Sequence, residues 1–297
     1  MNKLFFLSFL YCNAYGFENL TNKFIQVDEH GNKTNAKLKR INCLRKCLRL
    51  TNCMYVAFEF RDCSFFSSFE SFKFFSPNEI DLYRKVESKR PNLVYYWVVQ
   101  NAKIKEIMNK NDLYTPSNMF YTSDRFGKSN SSFHLDNGYV ILPPIDKLDI
   151  AFTILAWVKL HSYKDNQRLL DFGNGERSDN IIISLSGLQT SLYFYIYHGS
   201  TKYSINSNLI LPLFNWHHLG FVVTGGSSYI YLNGSLLLHK NHNVSNIIRK
   251  INRTKSYIGK SNWASNPNVD SEFDDIKIYN GVLTQYEIKD EYLSNFL

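Results

Sequence analysis

Asp274 is the residue whose type and position first suggest chemistry. In Phe273-Asp274-Asp275-Ile276-Lys277-Ile278-Tyr279, strict alternation puts Asp274 on the face of Ile276 and Ile278, and Asp275 on the face of Lys277 and Tyr279. A carboxylate turned inward needs a cation or several donors to offset its desolvation. Asp124 and Asp136, from loops earlier in the chain, are candidates for further oxygen ligands, so the three define a possible Ca2+ set. The alternative is that Asp274 accepts backbone N–H groups at a strand start and holds no metal. His217 and His218 follow Trp216 and invite an acid–base or metal reading. Neighbours on a strand point to opposite faces, so they cannot chelate one ion, and a core histidine bonded to backbone accounts for one of them.

Binding chemistry is suggested at two further places. Tyr193, Tyr195 and Tyr197 share one face of a strand, where an exposed row would stack on sugars and a covered row would be cross-strand or inter-sheet packing. Arg40, Arg45, Lys46 and Arg49, with Lys39, flank a predicted amphipathic helix. They read either as a basic surface for sulfated glycans and acidic partners or as an ordinary solvated face. The charge excess sits in this part: residues 17–90 hold 14 Lys and Arg against 9 Asp and Glu, whereas residues 91–297 hold 19 against 17. Arg45 and Arg49 are the candidate contacts there.

The elements that must position these groups follow from composition. With 297 residues, 44% hydrophobic and 16% aromatic, the chain can bury a sizeable core in one or two domains, which excludes a wholly disordered protein. No apolar run approaches the ~20 residues of a membrane-spanning helix. Met1-Asn2-Lys3 followed by apolar Leu4–Cys12 and small residues near Gly16 reads as a secretory signal peptide over 1–16, giving a mature chain from Phe17. Cys12 leaves with it, and Cys43, Cys47, Cys53 and Cys63 remain, an even set suited to an oxidising compartment. Sequons at Asn19, Asn32, Asn130, Asn233, Asn243 and Asn252 agree with a secreted, extracellular glycoprotein. Nucleic-acid binding is not expected of a secreted chain with no recognised module.

Residues 17–86 form the expected first unit, and the polar, Pro-containing stretch 87–92 a linker. Ile41, Cys43, Leu44, Cys47 and Leu48 fall at helical spacing, and Met54–Phe60 alternates as a strand bracketed by the third and fourth cysteines. The spacing C-x3-C-x5-C-x9-C, with a helix first and a strand after, resembles the PAN/apple module of secreted proteins. The resemblance implies outer and inner pairing, Cys43 with Cys63 and Cys47 with Cys53; four cysteines alone allow three connectivities.

Residues 93–297 read as all-β. Strands are expected at Phe152–Leu160, Ile181–Leu185, Leu192–Tyr197 and Trp216–Val223, and Tyr229–Leu238 as a hairpin about Asn233-Gly234. Thr284-Gln285-Tyr286-Glu287 has the spacing of a capping box and opens a short terminal helix. Four separated stretches resemble, in order, the laminin-G-like, concanavalin A-like jelly-roll domain. They are Asp124-Arg125-Phe126-Gly127 with Gly138-Tyr139-Val140, then Phe152–Val158, then Asn215-Trp216-His217-His218 with Tyr231–Gly234, then Asp274–Tyr279. Leu169-Leu170-Asp171-Phe172-Gly173-Asn174-Gly175 is similar to family members as well. The resemblance implies a two-sheet antiparallel β-sandwich used in adhesion or glycan recognition, often with Ca2+ near the Asp274 strand. A glycanase subset of that fold carries Glu-x-Asp-x-Glu on one strand; here Glu272-Phe273-Asp274-Asp275-Ile276 puts isoleucine at the last acid.

The expectation is therefore a mainly β, secreted, non-enzymatic protein that binds extracellular glycans or proteins and requires no cofactor. A glycoside hydrolase with an unrecognised acid pair and a structural matrix component without soluble ligand are the alternatives.

Overall fold

The computed structural model describes residues 90–293 apart from 111 and 187–190, together with four strands nearer the N-terminus. The chain divides into two compact units, Met1–Arg90 and Pro91–Leu297. In the first, β1 (Phe24–Val27), β2 (Tyr55–Glu59), β3 (Asp62–Phe66) and β4 (Asp81–Lys85) pair antiparallel in the order β1-β4-β2-β3. The alternating segment expected after Cys53 is β2, and Cys63 lies inside β3, opposite Phe58. The signal segment, the basic helix with Arg45 and Arg49, and Cys43, Cys47 and Cys53 lie outside the described residues.

The second unit is built from β5 (Leu93–Val99), β6 (Ile104–Glu106), β7 (Tyr114–Thr122), β8 (Ser132–Ile141), β9 (Ala151–Leu160), β10 (Gln167–Gly173) and β11 (Ile181–Ser186). These are followed by β12 (Tyr193–His198), β13 (Thr201–Asn206), β14 (Trp216–Thr224), β15 (Ser227–Leu232), β16 (Ser235–Asn241), β17 (Lys255–Ile258), β18 (Val269–Tyr279) and the helix α1 (Gln285–Leu293). The expected strands are thus present, within three residues of the expected ends. Hydrogen bonding runs β13-β12-β11-β10-β17-β8-β18-β9-β14-β15-β16. β8 is the corner: its C-terminal end pairs with β17 through Val140 and Ile141, and its N-terminal end with β18 from Phe133 onward. The strands before and after it consequently fold over one another as the two layers of a sandwich.

One core fills the space between the layers. Phe194 of β12 meets Phe221 of β14 with ring centroids 5.5 Å apart, and Phe133 meets Phe273 at 5.5 Å. Ile181, Ile183, Phe194 and Ile196 from one layer and Ile154, Ala156, Phe221 and Val223 from the other are buried in the same cluster. These are alternate positions along their strands, so each strand commits one face to the core and leaves the other for a different use.

The outer face of the β18-β9-β14-β15 layer is covered. Leu155, Val222, Tyr231 and Tyr279 pack there against Leu283 and Ile288, the latter on α1. α1 starts where the capping box sets it: Glu287 Oε2 accepts from Thr284 N at 2.7 Å, and Glu287 N donates to Thr284 Oγ1 at 3.3 Å. The hairpin turn also follows the local rule, with positive φ at both Asn233 (50°) and Gly234 (75°). A Cβ on Gly234 would stand 2.6 Å from the Lys289 side chain, so the turn and the helix fit closely.

Candidate functional site: a tyrosine and lysine face

Antiparallel register sets the site out in rows on the outer face of the first layer. Ser184 pairs with Tyr193, Ile182 with Tyr195, and Asp171 with both Ile182 and Tyr257, while Tyr197 pairs with Lys202. The three tyrosines share a face, as their spacing requires, and it is not the sandwich core: Ile182, Tyr195 and Tyr197 form a separate cluster with Tyr193 and Trp263. The row is not the fully exposed ladder that stacking by all three rings would need, since Tyr195 and Tyr197 are only 6% and 8% exposed. They make a floor, and half-buried Tyr193 and Trp263 stand at its margin.

Cations lie over these rings. Lys202 Nζ is 4.3 Å from the Tyr195 centroid and 5.0 Å from that of Tyr193, and the Arg168 guanidinium is 5.5 Å from Tyr195. Further along the same layer, Lys260 Nζ is 4.4 Å from Tyr139 and 5.3 Å from Tyr257. Ring quadrupoles hold these cations in place without neutralising them. Among the described residues none of Arg168, Lys202 and Lys260 has a carboxylate within ion-pair distance. Arg168 is 2% exposed, donates from Nη1 to Ser184 Oγ at 2.6 Å, and leaves its buried Nε without a partner. Burial pulls its pKa below the ordinary arginine value.

Asp171 is fully buried here, interacts with the charge of Arg168 and accepts hydrogen bonds from a loop. Its Oδ2 accepts from Asn262 N at 2.8 Å, and its Oδ1 from Asn262 Nδ2 at 2.9 Å and Asn180 Nδ2 at 2.8 Å. Burial pushes its pKa up, against the pull of those donors. The tethered loop carries Trp263, whose ring lies 5.9 Å from Tyr197. Sequence reasoning missed Arg168, Lys202, Lys260 and Trp263. The lysines and the arginine reach the tyrosines only through strand pairing, although Asp171 lay in a stretch already similar to family members.

Asp274 sits elsewhere, and its surroundings correct the expectation from alternation. Between Asp274 and Lys277 of β18 the pairing with β9 advances only from Trp157 to Leu155, so β18 carries one extra residue, and Asp275 adopts φ 47°. The bulge leaves Phe273, Ile276 and Ile278 facing the core and turns Asp274 to the opposite side, across from Trp157. There Asp274 is paired with Arg125 Nη1, while Nη2 of the same guanidinium is 2.8 Å from Asp275 Oδ2. Arg125 also stacks 4.6 Å over the Trp157 ring, and Tyr96 Oη donates to Asp275 Oδ1 at 2.5 Å. Burial, then the neighbouring Asp275 charge, holds the Asp274 carboxyl above the usual range, against the pull of Arg125.

The three candidate Ca2+ ligands do not converge as a set, although the charge of Asp124 still acts on Asp274. Asp124 closes its own loop by accepting from Phe126 N and Lys128 N, both at 2.9 Å. Asp136 is exposed on β8, opposite Asp270 and well along the strand from Asp274. The bulge turns Asp274 away from the core, and there Arg125 is already its cation. His217 and His218 face opposite sides as expected. His217 Nε2 meets Pro212 O at 3.3 Å, and His218 packs 5.2 Å from Trp157 with its pKa lowered to about 3 by burial.

Similarity to known proteins agrees with this architecture. Domain 4 of AbnA, a GH43 extracellular arabinanase from Geobacillus stearothermophilus whose structure holds arabinotriose, superposes with a TM-score of 0.56 at 19% identity, over 68% of this chain and 98% of that one. The binding domain of Paraclostridial Mosquitocidal Protein 1 gives 0.53 at 18% identity, over 69% and 52%. The binding domain of botulinum neurotoxin serotype G gives 0.51 at 15%, over 69% and 51%, so the chain spans about half the length of each toxin domain. No curated protein matches the chain. The family described as "Concanavalin A-like lectin/glucanases superfamily" matches residues 135–289, more than half of the sequence. With its two-layer antiparallel sandwich, the chain belongs to the concanavalin A-like lectin/glucanase superfamily.

Proposed function

We propose that the chain is a secreted, non-enzymatic recognition protein whose jelly-roll domain binds acidic saccharides, sulfated or uronate-bearing, on the tyrosine and lysine face. A PAN/apple-like module over residues 17–86 would accompany it, stapled by its four cysteines and carrying the basic surface of Arg45 and Arg49. One observation carries the reading. Lys202 and Lys260 lie over aromatic rings with no described carboxylate within ion-pair distance, whereas buried Arg168 feels the charge of Asp171, whose oxygens accept from amides. A ligand that brings rings of C–H bonds and its own anions complements both features.

A non-enzymatic role is supported by the state of the acids. Glu272 Oε1 is engaged by Lys159 Nζ at 2.7 Å and His161 Nε2 at 2.8 Å, and Asp274 by Arg125, so neither acid is poised alone beside an open bond-breaking position. The neighbouring arabinanase domain and toxin binding domains support a binding role by analogy of fold.

A glycan array spanning neutral, sulfated and uronate-bearing oligosaccharides, probed with the full mature chain with and without EDTA, tests this. The expected result is retention confined to the acidic set, weakening steeply with salt and unchanged by EDTA. Binding only to neutral saccharides would remove the charge argument, and consumption of any saccharide would make the protein an enzyme. Silence across the array would favour a structural matrix component.

A further inference from the structure

A second group of side chains stands on the outer face of the other layer, away from the helix-covered apolar cluster, and the proposed function does not use it. Register brings it together. Glu272 of β18 pairs with His134 of β8 on one side and Lys159 of β9 on the other. Asp270 precedes Glu272 by two positions on the same strand, beyond a register shift at Val269. His161 follows Lys159 by two positions and is fixed by its N–H, which donates to Asp270 O at 3.0 Å. Period-two alternation therefore aims His134, His161, Asp270 and Glu272 to one side of the sheet.

The side chains converge as well as share a face. The two imidazoles stack with centroids 4.4 Å apart and 30° between planes. His134 Nε2 is 2.9 Å from Asp270 Oδ1, and one donor atom from each of His134, His161 and Asp270 lies within 4.8 Å of the other two. Glu272 Oε1, 2.8 Å from His161 Nε2, orients that ring, while Oε2 accepts from Thr122 Oγ1 at 3.1 Å. Lys159 is the nearby opposing cation, and Glu272 neutralises it at 2.7 Å. The residues are partly exposed, between 19% and 22% for His134, His161 and Asp270, so the cluster is open to solvent.

We infer that His134, His161 and Asp270 form a binding site for a first-row divalent cation, Zn2+ fitting the donors best, with Glu272 as the positioning residue. Two imidazoles and one carboxylate are a borderline-hard donor set that suits Zn2+ and ill suits Ca2+, which takes oxygen ligands. Around a tetrahedral ion with bonds of about 2.0–2.2 Å the donors would sit roughly 3.3 Å apart. The His134–Asp270 pair at 2.9 Å would open slightly, and the remaining donor separations, which lie within 4.8 Å, would adjust by side-chain rotation. This ligand set shares no residue with Asp274, Asp124 and Asp136, nor with the tyrosine face.

Zn2+ titration of the full mature chain against a chromophoric chelator tests the site. The expected result is a zinc equivalent of micromolar or tighter affinity, weakened at least tenfold by His134→Gln or His161→Gln and lost in the double variant. Glutamine keeps a hydrogen bond to the neighbouring carboxylate, and the metal-free melting temperature of each variant checks folding. Equal zinc stoichiometry and affinity in a folded double variant, which would place any bound ion on other groups such as the cysteines, overturns the inference. Should the variants fail to fold, Co2+ added to the wild-type chain with its thiols blocked decides. Visible bands of a low-symmetry four- or five-coordinate ion uphold the site, and their absence at millimolar Co2+ overturns it.

Discussion

The two outer faces of the sandwich differ in how their charges are treated. On the layer covered by α1, nearly every buried charge has an opposite partner: Arg125 with Asp274 and Asp275, Lys277 with Glu291 at 2.8 Å, Lys159 with Glu272. Tyr279 Oη adds a bond to Glu291 Oε1 at 2.7 Å, so the helix is fastened by charge as well as by apolar packing. On the other layer Lys202 and Lys260 rest on tyrosine rings with no described carboxylate within ion-pair distance, while Arg168 feels the charge of Asp171 and Arg249 is 3.2 Å from Asp179. A buried charge compensated within the protein holds structure in register, whereas one held only by ring quadrupoles keeps its field for something else. The same fold thus fastens α1 to one face with compensated charge and leaves two lysines without an ion-pair partner among the described residues on the other.

The largest expected effect comes from removing the compensation. Arg125→Ala leaves two adjacent buried carboxylates without their cation, Asp275 keeping only the Tyr96 hydroxyl, and should cost about 3–5 kcal/mol of unfolding free energy in urea titration. Affinity of the remaining folded protein for acidic saccharide should not change; a loss of binding with little loss of stability would put the ligand on the wrong face.

Acid should separate the faces next. The His218 imidazole has an unfolded value of 6.5 and a folded value lowered to about 3, so its contribution to stability is complete above pH 6.5 and is lost as pH falls toward 3. Between pH 6.5 and pH 5 that amounts to about 2 kcal/mol, and His218→Phe should flatten this part of the stability–pH curve. An unchanged slope in the variant would mean that the imidazole is not held neutral against Trp157.

The smallest effects sharpen the binding face. Trp263→Ala should weaken acidic saccharide binding about tenfold, and Lys202→Ala by about threefold with a shallower salt dependence, each with under about 1 kcal/mol of destabilisation. Calorimetric titration at two salt concentrations reads both quantities. If Lys202→Ala alters stability more than affinity, the lysine only covers Tyr195.

How far the sequence reached is clearest from particular residues. The Asn233-Gly234 turn, the Thr284–Glu287 cap and the continuous apolar strand at Ala151–Leu160 were legible because their causes lie within a few neighbours: φ preference, reciprocal capping, a short run of aliphatic and aromatic residues. The shared face of Tyr193, Tyr195 and Tyr197 was legible for the same reason, though not their burial. The orientation of Asp274 was misread because one extra residue in β18 reverses the face, and a bulge depends on what the partner strands can accept.

Taken alone, the sequence determined local backbone geometry and the strand-forming character of the stretches between Leu93 and Tyr279, since both follow from each residue's conformational preference and its place in short apolar or alternating runs. Only tertiary structure decided which side chains meet. Lys202 joins Tyr195, Arg125 joins Asp274, and His134 joins His161 across strands far apart in the chain. Those encounters are fixed by strand order and register, which the packing of the whole sandwich selects.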